Sequence, residues 1–243
     1  MDELLPHREF NDGLTKGQRI FLWVYLVIHA LVLPLALSFV TAELQKWMSD
    51  AYINFCYYAF GAVLVFIVTR TFFRRGFDVL CDAPLACVYA VLLGYMLVMA
   101  LSFLASAVIS VLPDALGKVD NLNNDYVMDL ADSDYGVTSA MAIFLAPMVE
   151  EPLFRGGVFG SIRRRSRVWA YVASITLFAV YHVWQYALVF GDPLYLLMGI
   201  EYIPAGLALC WAYDRTGSIW SPVFLHALIN AMSLLALQTT QSQ

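Results

Sequence analysis

Seven apolar runs, each about as long as an α-helix needs to cross roughly 30 Å of hydrocarbon, recur along this chain. They fall approximately at 20–41, 52–70, 84–112, 138–161, 168–190, 194–213 and 218–238. A backbone inside a bilayer has no water to bond, so repeated runs of this kind admit helices that satisfy their own amides. Composition agrees: 61% of the residues are hydrophobic and only 14% charged, where a soluble domain carries about a quarter charged. The predicted fold is all-α, a polytopic transmembrane helical bundle of about seven spans. No soluble domain of useful size fits between the runs. The chain divides at 1–137, an N-terminal segment, three spans and an acidic outer loop, and 138–243, a four-helix membrane core expected to hold the site.

Basic residues set the orientation. With the N-terminus in the cytoplasm, the inner segments hold Arg8, Lys16, Arg19, Arg70, Arg74, Arg75, Arg163, Arg164, Arg165, Arg167 and Arg215, eleven of the fourteen Lys and Arg. The outer segments hold Lys46 and Lys118. The run from Arg163 to Arg167 therefore reads as a membrane-orienting anchor. With a net charge of −5, no nucleic-acid partner is expected. The loop at 113–137 carries six aspartates and reads as a solvated outer connector, with room for a short interfacial helix. The first residues lack the basic, apolar and small-residue order of a cleavable leader. The cysteines Cys56, Cys81, Cys87 and Cys210 show no metal-ligand spacing, and Cys56 and Cys210 read as packing residues. No metal or other cofactor is expected.

Against that background, Pro-Met-Val-Glu-Glu-Pro-Leu-Phe-Arg at 147–155 is anomalous. Charge at the bilayer centre costs a few kcal/mol per group even on lenient scales, so such residues pair, line a cavity or do chemistry. At about 1.5 Å per residue, Glu150 lies roughly 20 Å from the cytoplasmic boundary, His182 roughly 21 Å, and His226 and Asn230 roughly 12 and 18 Å. One layer of the bundle can hold all four.

Spacing divides their work. Glu151 and Arg155 are i,i+4 neighbours on one helical face, with the acid N-terminal to the base, the better order for pairing. Glu150 projects about 100° away from Glu151, so the adjacent carboxylates are expected to have different partners. His226 and Asn230 are also i,i+4, and Phe178, one turn before His182, is placed to wall off a dry pocket. Pro152 removes an amide donor to the carbonyl of Met148 and is expected to widen the helix. His29, alone in the first span, reads as an interhelical hydrogen-bonder. Glu201 reads as interface-facing or hydrogen-bonded within the bundle.

Glu-Glu-x-x-x-Arg at 150–155, Phe-x-x-x-His at 178–182 and His-x-x-x-Asn at 226–230, with Thr216-Gly217-Ser218-Ile219 before the last, resemble the three motifs of the CPBP family. These are intramembrane glutamic endopeptidases of the CAAX-protease and bacteriocin-processing type, which include the type II CAAX prenyl endopeptidases. The resemblance covers roughly 140 to 235. It implies that Glu150 acts as general base on a water shared with His182, and that His226 and Asn230 donate to the oxyanion. Glu151 and Arg155 would be a supporting ion pair, although Arg155 could instead hold a substrate carboxylate. The implied substrate is a peptide or protein at the membrane, and the implied location a multi-pass cell membrane, of prokaryotic type. A prenylated substrate is not the first expectation, because nothing in the chain identifies such a ligand. Two other readings stay open: a zinc-dependent membrane protease, and a non-hydrolytic immunity, chaperone or transport protein.

Overall fold

A computed structural model of the chain describes residues 13–110 and 121–241. Arg8, Asp114, Lys118, Asp120 and the last residues of the third predicted span lie outside the described residues, as does the N-terminal stretch read for a leader. The elements in order are α1 (Lys16–Leu44), α2 (Asp50–Asp82), α3 (Pro84–Ser110), α4 (Leu122–Ser133), α5 (Tyr135–Arg163), α6 (Arg167–Phe190), α7 (Pro193–Thr216) and α8 (Trp220–Gln241). No strand occurs among the described residues. Six helices, α1, α2, α3, α5, α6 and α7, are long and apolar enough to cross a membrane, and α8 contributes a shorter apolar stretch, Trp220–Ala236. This is the polytopic helical bundle expected from hydropathy.

The helix that carries the second predicted span runs on beyond it. Hydropathy falls at Arg70, Arg74 and Arg75, yet α2 continues to Asp82 through a kink at Thr69 (φ −105°, ψ 20°), whose hydroxyl donates to the Val65 carbonyl at 2.7 Å. Charge ends a membrane crossing but not a helix, and no breaker appears before Pro84. The acidic segment does carry a short helix, α4, begun by the Asn121 side chain accepting from the Asn124 amide.

Burial identifies the central helix. In α5, 61% of the most apolar window is buried inside the protein, against 11% in α3. A helix buried all round is surrounded by its neighbours rather than by lipid. Large side chains on the other helices, such as Phe39, Phe60 and Phe103, are exposed on the outside of the bundle. Cys56 also faces outward, contrary to its reading as a packing residue, because it lies on the outer face of α2; Cys210 is buried as expected.

The ends assigned to the cytoplasm are tied together. Asp214 of α7 accepts from Arg163 Nε at 2.6 Å and Arg167 Nε at 2.7 Å. Arg75 donates to the Gly13 carbonyl. Gly217, at φ 69°, ends α7 in a left-handed turn, and Ser218 Oγ then donates to the Gly76 carbonyl at 2.7 Å. A Cβ at Gly76 would lie 2.9 Å from Ile219 Cγ2 and 3.2 Å from the Ile219 amide nitrogen. Since backbone cannot rotate away, Gly76→Ala is expected to lower stability by about 1–3 kcal/mol, read as an earlier thermal unfolding midpoint in detergent; an unchanged midpoint would show that this junction yields.

Three wide turns interrupt the membrane helices, at Ile28–Val32 in α1 and at Met141–Leu145 and Pro152–Phe159 in α5. In the first, the Leu33 amide bonds back five residues to Ile28. Pro34 has no amide to continue the pattern, which leaves the His29 carbonyl open, and Tyr57 Oη donates to it at 2.6 Å. In the second, the Ala146 amide bonds to Met141. Pro147 then leaves the Ala142 carbonyl open, and Asn230 Nδ2 donates to it at 2.7 Å. The third begins at Pro152, where widening was expected. Helix-breaking residues are tolerated in membrane spans when side chains of neighbouring helices take over the freed carbonyls.

Candidate active site

Glu150 projects from the buried centre of α5 with 3% of its surface exposed. Its two carboxylate oxygens have different surroundings. Tyr58 Oη of α2 donates to Oε1 at 3.2 Å. Oε2 is buried without a protein hydrogen-bond partner, and two imidazoles face it: His182 Nε2 at 3.8 Å and His226 Nε2 at 4.0 Å. Helices α5, α6 and α8 thus bring an acid and two imidazoles to one point. Both distances exceed a direct hydrogen bond.

Partners on the far side of each ring decide what it presents. His182 Nδ1 lies 2.8 Å from the Phe178 carbonyl. A carbonyl only accepts, so Nδ1 carries the hydrogen and a neutral ring turns the lone pair of Nε2 toward Glu150. His226 Nδ1 donates to Glu151 Oε1 at 2.7 Å. The same oxygen accepts from Arg155 Nη1 at 3.1 Å, with both side chains of that ion pair fully buried. Arg155 Nη2 donates to the Gly206 carbonyl at 3.4 Å, and its guanidinium carbon lies 4.5 Å from the centre of the Phe178 ring. Arg155 is therefore occupied inside the protein, with no surface open to a substrate carboxylate.

Phe178 packs against both histidines. Its ring centre is 4.6 Å from that of His182 and 5.9 Å from that of His226. On the other face, Tyr202 of α7 stacks on His182 at 4.3 Å and 19°. The Tyr202 hydroxyl donates to Asn121 Oδ1 at 3.1 Å, and Asn121 Nδ2 donates to Glu201 Oε2 at 2.6 Å. Glu201 is thus an exposed residue that anchors the start of α4.

Of the residues singled out in the sequence, Glu150, Glu151, Arg155, Phe178, His182 and His226 form one contiguous group. The two carboxylates have different hydrogen-bond donors, Tyr58 on Glu150 and His226 with Arg155 on Glu151, while the far nitrogen of His226 also faces Glu150. Asn230 is not joined to that group by a hydrogen bond; it donates one amide hydrogen to the Ala142 carbonyl at 2.7 Å. Sequence reasoning missed Tyr58 and Tyr202 altogether. The only available signal for Tyr58 was a hydroxyl in an apolar run, which needs a partner once buried. Among the described residues, no group of three His, Cys, Asp or Glu side chains is arranged to hold a metal ion.

The family model of Rce1-like type II CAAX prenyl endopeptidases matches residues 133–232. The match spans all three motifs, and the family it names falls within the resemblance they carried. It supports a CAAX-type protease, with a peptide or protein substrate at the membrane. No curated protein and no solved structure matches the chain.

Proposed function

We infer from this likeness and from the site that the protein is a membrane-embedded endopeptidase in which Glu150 activates water. The observation that carries the reading is the approach of two imidazole Nε2 atoms to the same unpartnered oxygen of Glu150, at 3.8 and 4.0 Å. Gaps of that size suit one bridging water. Such a water donates one hydrogen to Oε2 and the other to the lone pair of His182 Nε2, which turns its own lone pair toward a substrate carbonyl. Glu150 takes the proton as oxygen attacks carbon, and later returns it to the leaving amine.

The tetrahedral oxyanion then needs donors. To donate from Nε2, His226 carries hydrogens on both nitrogens, with the carboxylate of Glu151 beside Nδ1 as counter-ion. Asn230 has a second amide hydrogen beyond the one held by Ala142. Removing one such donor costs about 3–4 kcal/mol of barrier.

The test uses purified protein in liposomes and two fluorogenic peptides ending in Cys-aliphatic-aliphatic-X, one farnesylated and one not. Cleavage of either is expected, and a chelator such as 1,10-phenanthroline is expected to leave the rate unchanged. Zinc lost in step with activity would favour a metalloprotease. If neither peptide is cut, and the membrane peptidome of cells carrying Glu150→Gln matches that of wild type, the hydrolytic reading fails.

A further inference from the structure

A line of buried hydroxyls runs from Glu150 away from the catalytic motifs. Tyr58 Oη lies 3.2 Å from Glu150 Oε1 and 3.0 Å from Tyr181 Oη, which in turn lies 3.2 Å from His29 Nε2. Three helices contribute: α2, α6 and α1. His29 is fully buried. Its ring stacks on Tyr57 at 4.6 Å and 14°, and Tyr57 also holds its backbone carbonyl at the wide turn. A Cβ at Gly61 would sit 2.9 Å from Tyr25 Oη, 3.3 Å from Val149 Cγ2 and 3.7 Å from His29 Cε1. The missing side chain there lets α2 close against α1 and α5 beside the chain of hydroxyls.

Each phenol has one hydrogen, and that fixes the direction of the chain. With Glu150 as carboxylate, Tyr58 spends its hydrogen on Oε1 and can only accept from Tyr181. Tyr181 has then spent its own hydrogen and can only accept from His29 Nε2–H. His29 Nδ1, buried and unpartnered, is left as the bare nitrogen of a neutral ring. The carboxylate of Glu150 is thus coupled to the tautomer of a histidine three residues along the chain of hydrogen bonds.

We propose that Tyr58, Tyr181 and His29 are positioning residues: a directed hydrogen-bond chain that holds Glu150 Oε1 as a permanent acceptor and reserves Oε2 for the proton taken from water. The assignment of Oε2 as the base rests on the hydrolytic reading above; the chain itself does not. It gives helices α1 and α2, which lie outside the matched region, a role in the reaction. Hydrogen bonds in series polarise one another, so loss of a distant link weakens the one on Oε1.

Infrared carboxyl and carboxylate stretches of Glu150, assigned by their loss in Glu150→Gln, test this in full-length protein in liposomes without reference to catalysis. Tyr58→Phe is expected to shift the Glu150 bands. Tyr181→Phe and His29→Phe, which leave every direct contact of Glu150 in place, are expected to shift them in the same direction and by less, while His29→Gln, retaining an N–H donor, restores them. Once Tyr58→Phe has broken the first link, adding Tyr181→Phe is expected to change nothing further. In the peptide assay Tyr58→Phe is expected to lower kcat about tenfold or more with KM unchanged. Bands unmoved by both Tyr181→Phe and His29→Phe, in proteins that melt like wild type, would overturn the relay. Bands that shift in a protein that cleaves neither peptide, with a Glu150→Gln membrane peptidome identical to wild type, would overturn the protease reading and leave the relay standing.

Discussion

Glu150→Gln is expected to abolish peptide cleavage while leaving the protein folded. The amide oxygen of glutamine still accepts from Tyr58, so the packing around position 150 is preserved, and only the capacity to take a proton is lost. A positioned general base contributes about 10²–10⁴-fold, and cleavage should fall by at least that factor. His182→Ala should act in the same direction, because it removes the lone pair that faces Oε2 across 3.8 Å. The measurement is turnover of the Cys-aliphatic-aliphatic-X peptides beside a thermal melt of each variant. Full activity in Glu150→Gln would rule out the carboxylate as base.

Arg155→Met is expected to be the most destabilising single change at the site. Its guanidinium and the Glu151 carboxylate are fully buried, and breaking a buried pair by removing one partner costs about 3–5 kcal/mol. Glu151 would keep only its bond from His226, so the ring that faces Glu150 would lose its fixed support as well. Combining Arg155→Met with Glu151→Gln removes both charges, and stability should recover in part, whereas activity should not. Thermal unfolding in detergent, paired with peptide turnover, separates the two effects. An Arg155→Met protein that melts like wild type would show that Glu151 finds another partner.

Much of this molecule was legible in one dimension. Hydropathy alone located the membrane helices, because crossing hydrocarbon demands length and apolarity regardless of the neighbours. The i,i+4 spacing of Glu151 and Arg155 required them to meet, since both lie on one helix whose geometry is known in advance. The opposed directions of Glu150 and Glu151 follow in the same way. The family likeness came from short motifs on three helices, at depths that allowed them to share a layer.

What the sequence left undecided lies between helices. Nothing in the order of residues says that Tyr58 reaches Glu150, that Tyr202 stacks on His182, or that His29, read only as an interhelical hydrogen-bonder, is linked to the acid through two phenols. Those contacts depend on the rotation and approach of α1, α2, α6 and α7 about α5, which wide turns and a missing Cβ at Gly61 adjust locally. Asn230 illustrates the same division. Its place one turn after His226 was evident, but its bond to the Ala142 carbonyl arises from a proline on another helix, five residues further on. Periodicity determines which face of a helix a residue occupies, while packing alone determines what that face meets.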